Sequence, residues 1–158
     1  MKLDDNDNRL LHISWENINS GTQAIANNIS EAEKPDVIIT TQEDVIPAAL
    51  VCNIIDVPLC IAHLNSRQNG IVIECLPKID TLIRSGCGDQ PPLPTIGIIS
   101  SLIDDRRNVD ELVSYYQNRG HKVKTFCIYS RKVVDKPADY HWATLIKTIK
   151  CSFPWEDK

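Results

Sequence analysis

The sequence predicts a single α/β domain over residues 1–158, built on a mostly parallel twisted sheet flanked by helices. Three observations predict it. Apolar runs of strand length alternate along the chain with segments of helical period. The unit from Ile96 to Tyr129 reads strand–helix–strand, which implies parallel pairing through a right-handed crossover. A chain of 158 residues, 42% hydrophobic and 24% charged, fits one domain with a sizeable core. No internal repeat, low-complexity tract or domain boundary interrupts it.

The elements follow in order. LLHIS is a short apolar run ending at Ser14, an N-cap residue type. The helix opened by Ser14 carries Ile18, Ile25, Ile29 and Ala32 on one face and should stop between Ala32 and Lys34, because Pro35 disfavours helical backbone before it. DVIIT, Asp36 to Thr40, is a β-branched buried strand. IPAALVCNIID follows as a helix with Pro47 in its first turn, where a missing N–H costs little. PLCIAHL (Pro58 to Leu64) and GIVIECL (Gly70 to Leu76) are the next strands. The stretch at about 77–95 contains SGCGDQPPLP, rich in breakers, and is read as an irregular loop, either a mobile flap over a functional face or a plain surface insertion, with the flap favoured. IGIISSLI then leads into a turn and a helix. Asn108 and Glu111 have capping-box spacing there, Val109, Leu112, Val113 and Tyr116 form an apolar stripe, and Gly120 is the stop. KVKTFCIY, Lys122 to Tyr129, is the next strand.

Composition excludes several classes. No run approaches the roughly 20 apolar residues that span a bilayer, and the start MKLDDNDNRLL is acidic, unlike a secretory signal. A cytoplasmic location without a membrane is therefore expected. A formal charge of −4 argues against nucleic acid as a partner. The six cysteines and four histidines show no metal-ligand spacing, so the cysteines are read as structural thiols and no metal site is expected.

Ligands of such sheets bind beyond the carboxyl ends of the strands, near a topological switch point. Two turns qualify: Thr41-Gln42-Glu43-Asp44 and Asp104-Asp105-Arg106-Arg107-Asn108. The second, between a buried strand and a helix, has the geometry that often holds a phosphate. Both turns nevertheless lack glycine and carry carboxylates, so neither forms an anion nest easily. Like charges about 4 Å apart repel by ~1 kcal/mol in water and ~4 kcal/mol near a protein surface. A polyanionic substrate would meet several such repulsions unless a metal ion intervened.

The segments ISWENINSGTQAIANNI and PDVIITTQEDVIPAALVCNIIDVPLC, with IISSLIDDRRN and the closing FPWEDK, resemble the bacterial xanthine-guanine phosphoribosyltransferases. That family has an I-[ST]-W-[DE] opening, an S-R-G-G turn, a helix reading L-V-P-A-A-L-L-A-R-E-L-G-I-P, the signature V-I-D-D-L-V-D-T-G-G-T and a final P-W-D. The resemblance covers nearly the whole chain except residues 65 to 95, and implies a phosphoribosyltransferase-like fold of purine salvage and a homo-oligomer. The departures fall on the functional turns. The pyrophosphate-holding S-R-G-G falls on Thr41-Gln42-Glu43-Asp44. The acids that grip the ribose hydroxyls and support Mg²⁺ fall on Ser100 and Ser101, and the phosphate loop T-G-G-T falls on Asp105-Arg106-Arg107-Asn108. Asp104 alone keeps the type of the family's catalytic acid/base. The family's purine-contacting lysine falls near Ser130, beside Arg131 and Lys132, and its base-stacking tryptophan is replaced around Lys150-Cys151, although Trp155 remains.

The expectation is a degenerate member of that family: a pseudoenzyme that binds or regulates rather than catalyses. Asp104 is then a turn or capping residue, Arg106 and Arg107 pair with Glu43, Asp44 or Asp105, and Trp155 and Trp15 pack the termini. No cofactor is expected. The first alternative is an active purine phosphoribosyltransferase with Asp104 as acid/base, Asp105 and Glu43 on Mg²⁺, and Arg106 and Arg107 on the phosphate. The second is a nucleotide-binding module without turnover, using the Trp155 region for a base. The partners expected are a second copy of the chain and either a purine nucleotide or a protein.

Overall fold

A computed structural model of the chain describes residues 10–31, 34–67, 70–76, 93–132, 134–146 and 149–156. Ser14 opens the first helix as expected. Its Oγ accepts the Asn17 N–H at 3.1 Å, while Asn17 Oδ1 accepts the Ser14 N–H at 3.3 Å, a reciprocal cap that satisfies two otherwise orphaned donors. In chain order the elements are β1 (Leu10–His12), α1 (Trp15–Glu31), β2 (Val37–Thr41), a 3₁₀ turn (Gln42–Asp44), α2 (Val45–Ile55), β3 (Leu59–Arg67), β4 (Gly70–Leu76), β5 (Ile96–Ile103), α3 (Arg107–Gln117), β6 (Val123–Arg131), β7 (Tyr140–Leu145) and β8 (Lys150–Ser152).

The main sheet runs β4-β3-β2-β5-β6-β7. Only the β3–β4 pair is antiparallel, so the predicted single α/β domain with a mostly parallel sheet is what forms. From β2 the chain steps outward to β3, and from β5 it steps the other way to β6. The switch point therefore lies between β2 and β5. Successive side chains of β2 point to opposite faces. Ile38 enters the core with Ile18, Ile25, Ile29 and Val51 of α1 and α2, while Val37 and Ile39 pack with Leu112 and Tyr116 of α3. A second, two-stranded sheet pairs β1 with β8 in parallel and ties the carboxyl-terminal tail to the start of α1.

Three local readings differ from the sequence expectation. Asn108 does not cap α3. It lies inside the first turn, and Asp105 Oδ1 accepts the Arg107 N–H at 3.0 Å instead. The N-cap position falls on Arg106, which makes no side-chain cap bond, so the helix begins before the capping-box spacing can act. β6 continues past Tyr129 to Arg131, and β7 and β8 follow where no element was expected. Gly120 is a stop, with φ +87°, but the helix itself ends at Gln117 and a turn intervenes. Ala32 and most of the segment 77–95 lie outside the described residues, and with them the expected flap.

Cys52, Cys60 and Cys127 are buried, and Cys151 is half-buried. Among the described residues, no group of three or more histidine, cysteine or acidic side chains could hold a metal ion, and no helix is long and apolar enough to cross a membrane.

Candidate functional site at the switch point

β2 pairs with β5 only from Val37↔Ile96 to Ile39↔Ile98, while β5 continues to Ile103 beside β6. The two strands part at their carboxyl ends. A cavity of about 350 Å³ opens there, bounded by both turns expected from the sequence and by Phe153 and Trp155 of the tail. Glu43, Asp44, Asp104, Asp105 and Glu156 all line it, and among the described residues no lysine or arginine does.

The β2-facing edge of β5 has no strand beyond Ile98, so its polar groups need side-chain partners. Thr40 Oγ1 donates to the Ile99 carbonyl at 2.9 Å. Asp44 supplies the rest. Its Oδ2 accepts from Ser100 Oγ at 2.9 Å, and its Oδ1 accepts from the Ser101 N–H at 2.9 Å and from Ser101 Oγ. Thr41 Oγ1 approaches the same carboxylate at 3.4 Å. Ser100 and Ser101 are only 8% and 6% exposed, where unbonded hydroxyls would be costly, and this one carboxylate satisfies both. The first turn is thus tied to β5 by a hydrogen-bonded bridge with open space beside it.

The other turn is also engaged internally. Asp104 accepts from Arg131 Nε at 2.5 Å, and Arg131 Nη1 donates to the carbonyls of Ile146, at 3.2 Å, and Ile149. Asp105 accepts the Arg107 N–H. Arg106 does not pair with Glu43, Asp44 or Asp105. Its Nε and Nη2 both meet Asp110 Oδ1 at 2.9 Å, one helical turn on, and Nη1 donates to the Lys136 carbonyl. A carboxylate four residues away on the same helix outcompetes acids that require a longer reach. Arg107 and Asn108 are exposed, as are Gln42 and Glu43.

Trp155 stacks on Phe153 with ring centroids 4.9 Å apart and planes at 15°, and meets Trp15 at 6.0 Å. Glu156 accepts the Phe153 N–H at 2.8 Å, closing the final turn. The tail is packed onto the domain through these rings, with Trp155 forming one wall of the cavity. Phe153 had no sequence signal. Arg131 had one, its place beside the position of the family's lysine, but its partner Asp104 could not be read from spacing.

No protein-family model matches the chain, and no curated protein matches its sequence. Solved structures do match its fold. A purine phosphoribosyltransferase from Pyrococcus horikoshii superposes with a TM-score of 0.68 at 20% identity, over 94% of this chain and 95% of that one. A xanthine-guanine-hypoxanthine phosphoribosyltransferase from Helicobacter pylori gives 0.70 at 15% identity, over 94% of each chain. A hypothetical protein from Neisseria gonorrhoeae with bound ppGpp gives 0.67 at 13% identity, over 95% and 90%. At these identities the likeness establishes the phosphoribosyltransferase fold.

Proposed function

We propose that this phosphoribosyltransferase-fold protein is a degenerate relative of the bacterial xanthine-guanine enzymes and serves as a non-catalytic binding or regulatory protein. The observation that carries this reading is the Asp44 carboxylate seated on Ser100 and Ser101. A transferase of phosphoribosyl groups must receive a polyanion at the switch point. Here the donors at that point are consumed by an internal anion. Glu43, Asp105 and Glu156 add negative charge around the same cavity, with no lining base among the described residues to offset it. Each approach to about 4 Å opposes an incoming phosphate by ~1–4 kcal/mol.

The active-enzyme alternative is weaker. Asp104 would have to leave Arg131 to act as acid/base, Asp105 would have to give up the Arg107 N–H to hold Mg²⁺, and Arg106 is directed to Asp110. Nucleotide binding without turnover has better support. The cavity has the volume of a small-molecule site, and Trp155 offers it an aromatic wall. A fold neighbour from Neisseria gonorrhoeae is known with ppGpp bound. The buried cysteines support a reducing, cytoplasmic setting.

The test is direct. Purified protein incubated with phosphoribosyl pyrophosphate, Mg²⁺ and guanine, xanthine or hypoxanthine is expected to form no nucleotide by chromatography. Turnover that disappears in Asp104→Asn would overturn the proposal. Calorimetric binding of GMP or ppGpp would select the nucleotide-binding reading, and its absence would leave a protein partner.

A further inference from the structure

Past Ile98 the free edge of β5 gathers one main-chain N–H, from Ser101, and two buried hydroxyls, from Ser100 and Ser101, on a single carboxylate. That carboxylate does not belong to the strand. It arrives from the 3₁₀ turn, 56 and 57 residues away in sequence. A convergent N–H and hydroxyl pair is a donor set that suits any small oxyanion, because charge-assisted bonds of this kind are stronger than neutral ones. We propose that the switch point is an oxyanion site with a built-in ligand: Asp44 fills it in the folded chain, and a free carboxylate or phosphate oxyanion takes its place when that side chain is removed. The inference rests on the non-catalytic reading of the same crevice and gives it a cause. The donors that remain are still an anion site, and it is already full.

Chemical rescue tests this. Asp44→Ala deletes the carboxylate and leaves a void matching formate. Thermal unfolding is followed in 0.1 M sodium formate, and in phosphate at the same ionic strength, against sodium chloride as reference. The variant is expected to gain roughly 2–4 °C in Tm from the oxyanion beyond any gain of the wild type. Adding Ser100→Ala and Ser101→Ala to the variant should remove at least half of that gain. Rescue by either oxyanion supports the site, and the ratio of the two distinguishes a carboxylate from a phosphate ligand. A variant that gains no more than the wild type, or a gain that persists without the serine hydroxyls, overturns the proposal. If Asp44→Ala is unfolded in chloride, its folded fraction is titrated with formate by circular dichroism. Folding on addition supports the site, and none at any concentration overturns it. Turnover is assayed on the wild type, so failure of the rescue and failure of the functional reading stay separate.

Discussion

The Cys52 thiol is pushed up from 9.0 to about 12, mainly by burial and then by neighbouring Cys60. Cys127 is also raised to about 12, by burial and by the Asp44 carboxylate, with Arg106 opposing. Thiolate is the reactive form, so both residues should resist iodoacetamide at pH 8 in the native protein and react fully in urea; mass mapping of the modified peptides checks this. The same shifts set an alkaline limit. A thiol whose pKa is higher folded than unfolded contributes stability that is intact below about 9 and is lost as pH rises toward 12. The urea midpoint should therefore fall across that window, and Cys52→Ala should flatten the fall even if it lowers the midpoint at pH 7. Gly21 is a separate case. A Cβ there would lie 2.6 Å from Ile128 Cγ2 and 3.0 Å from Trp142. Alanine gains about 1 kcal/mol of helix propensity, but a β-branched, fully buried isoleucine has little room to yield. Overpacking of about 1–3 kcal/mol should win, so Gly21→Ala is expected to lower stability in denaturant titrations.

At the scale of elements, α2 is unusual because VIPAALVCNII has no charged residue on any side. Its inner face buries Ala48, Val51, Cys52 and Ile55. Ile46, Leu50 and Ile54, one helical turn apart, remain 36%, 38% and 42% exposed. An exposed apolar stripe on a charge-free helix favours burial against another surface, and the homo-oligomer expected from the family resemblance would supply one. Leu50→Glu, at the middle of the stripe, should convert an oligomer to monomer in size-exclusion chromatography with light scattering. A wild-type chain that runs as a monomer at micromolar concentration would count against it. The same scale explains which elements were legible. α1 announced itself through Ser14 and the Ile18–Ile25–Ile29 face because capping and amphipathicity are local. β2 and β5 were legible as β-branched runs. β7, reading YHWATL, is mostly half-buried or exposed, so its composition carries no strong strand pattern. The Asn108–Glu111 box failed because the helix begins before it.

At the scale of the whole molecule, the place of the cavity was legible and its wiring was not. Strand alternation and family resemblance placed both turns at the carboxyl ends of β2 and β5, where the cavity lies. No local pattern could say that Asp44 would bridge to Ser100 and Ser101, or Arg131 to Asp104, because those contacts span 56, 57 and 27 residues. Arg131 is the link that reaches the tail. From the end of β6 it holds Asp104 at the tip of β5 and two carbonyls of the chain leading into β8, with its side chain only 11% exposed. The tail thereby closes over the cavity and pairs with β1. Arg131→Ala should remove about 2 kcal/mol of stability, since bonds from one charged donor to Asp104 and to two carbonyls are lost together. Arg131→Lys should restore only part, because an ammonium lacks the planar fork that serves Asp104 and the carbonyls together. Loss of this tether is expected to act locally. Hydrogen exchange in Arg131→Ala should accelerate at the amides that tie the tail to β1, including the Ile13 N–H that donates to Ser152, while Ile98 and Ile128 in the central strands keep their protection. Uniform acceleration across the sheet would instead make Arg131 a general core contact and reject its role as the tether that closes the tail over the site.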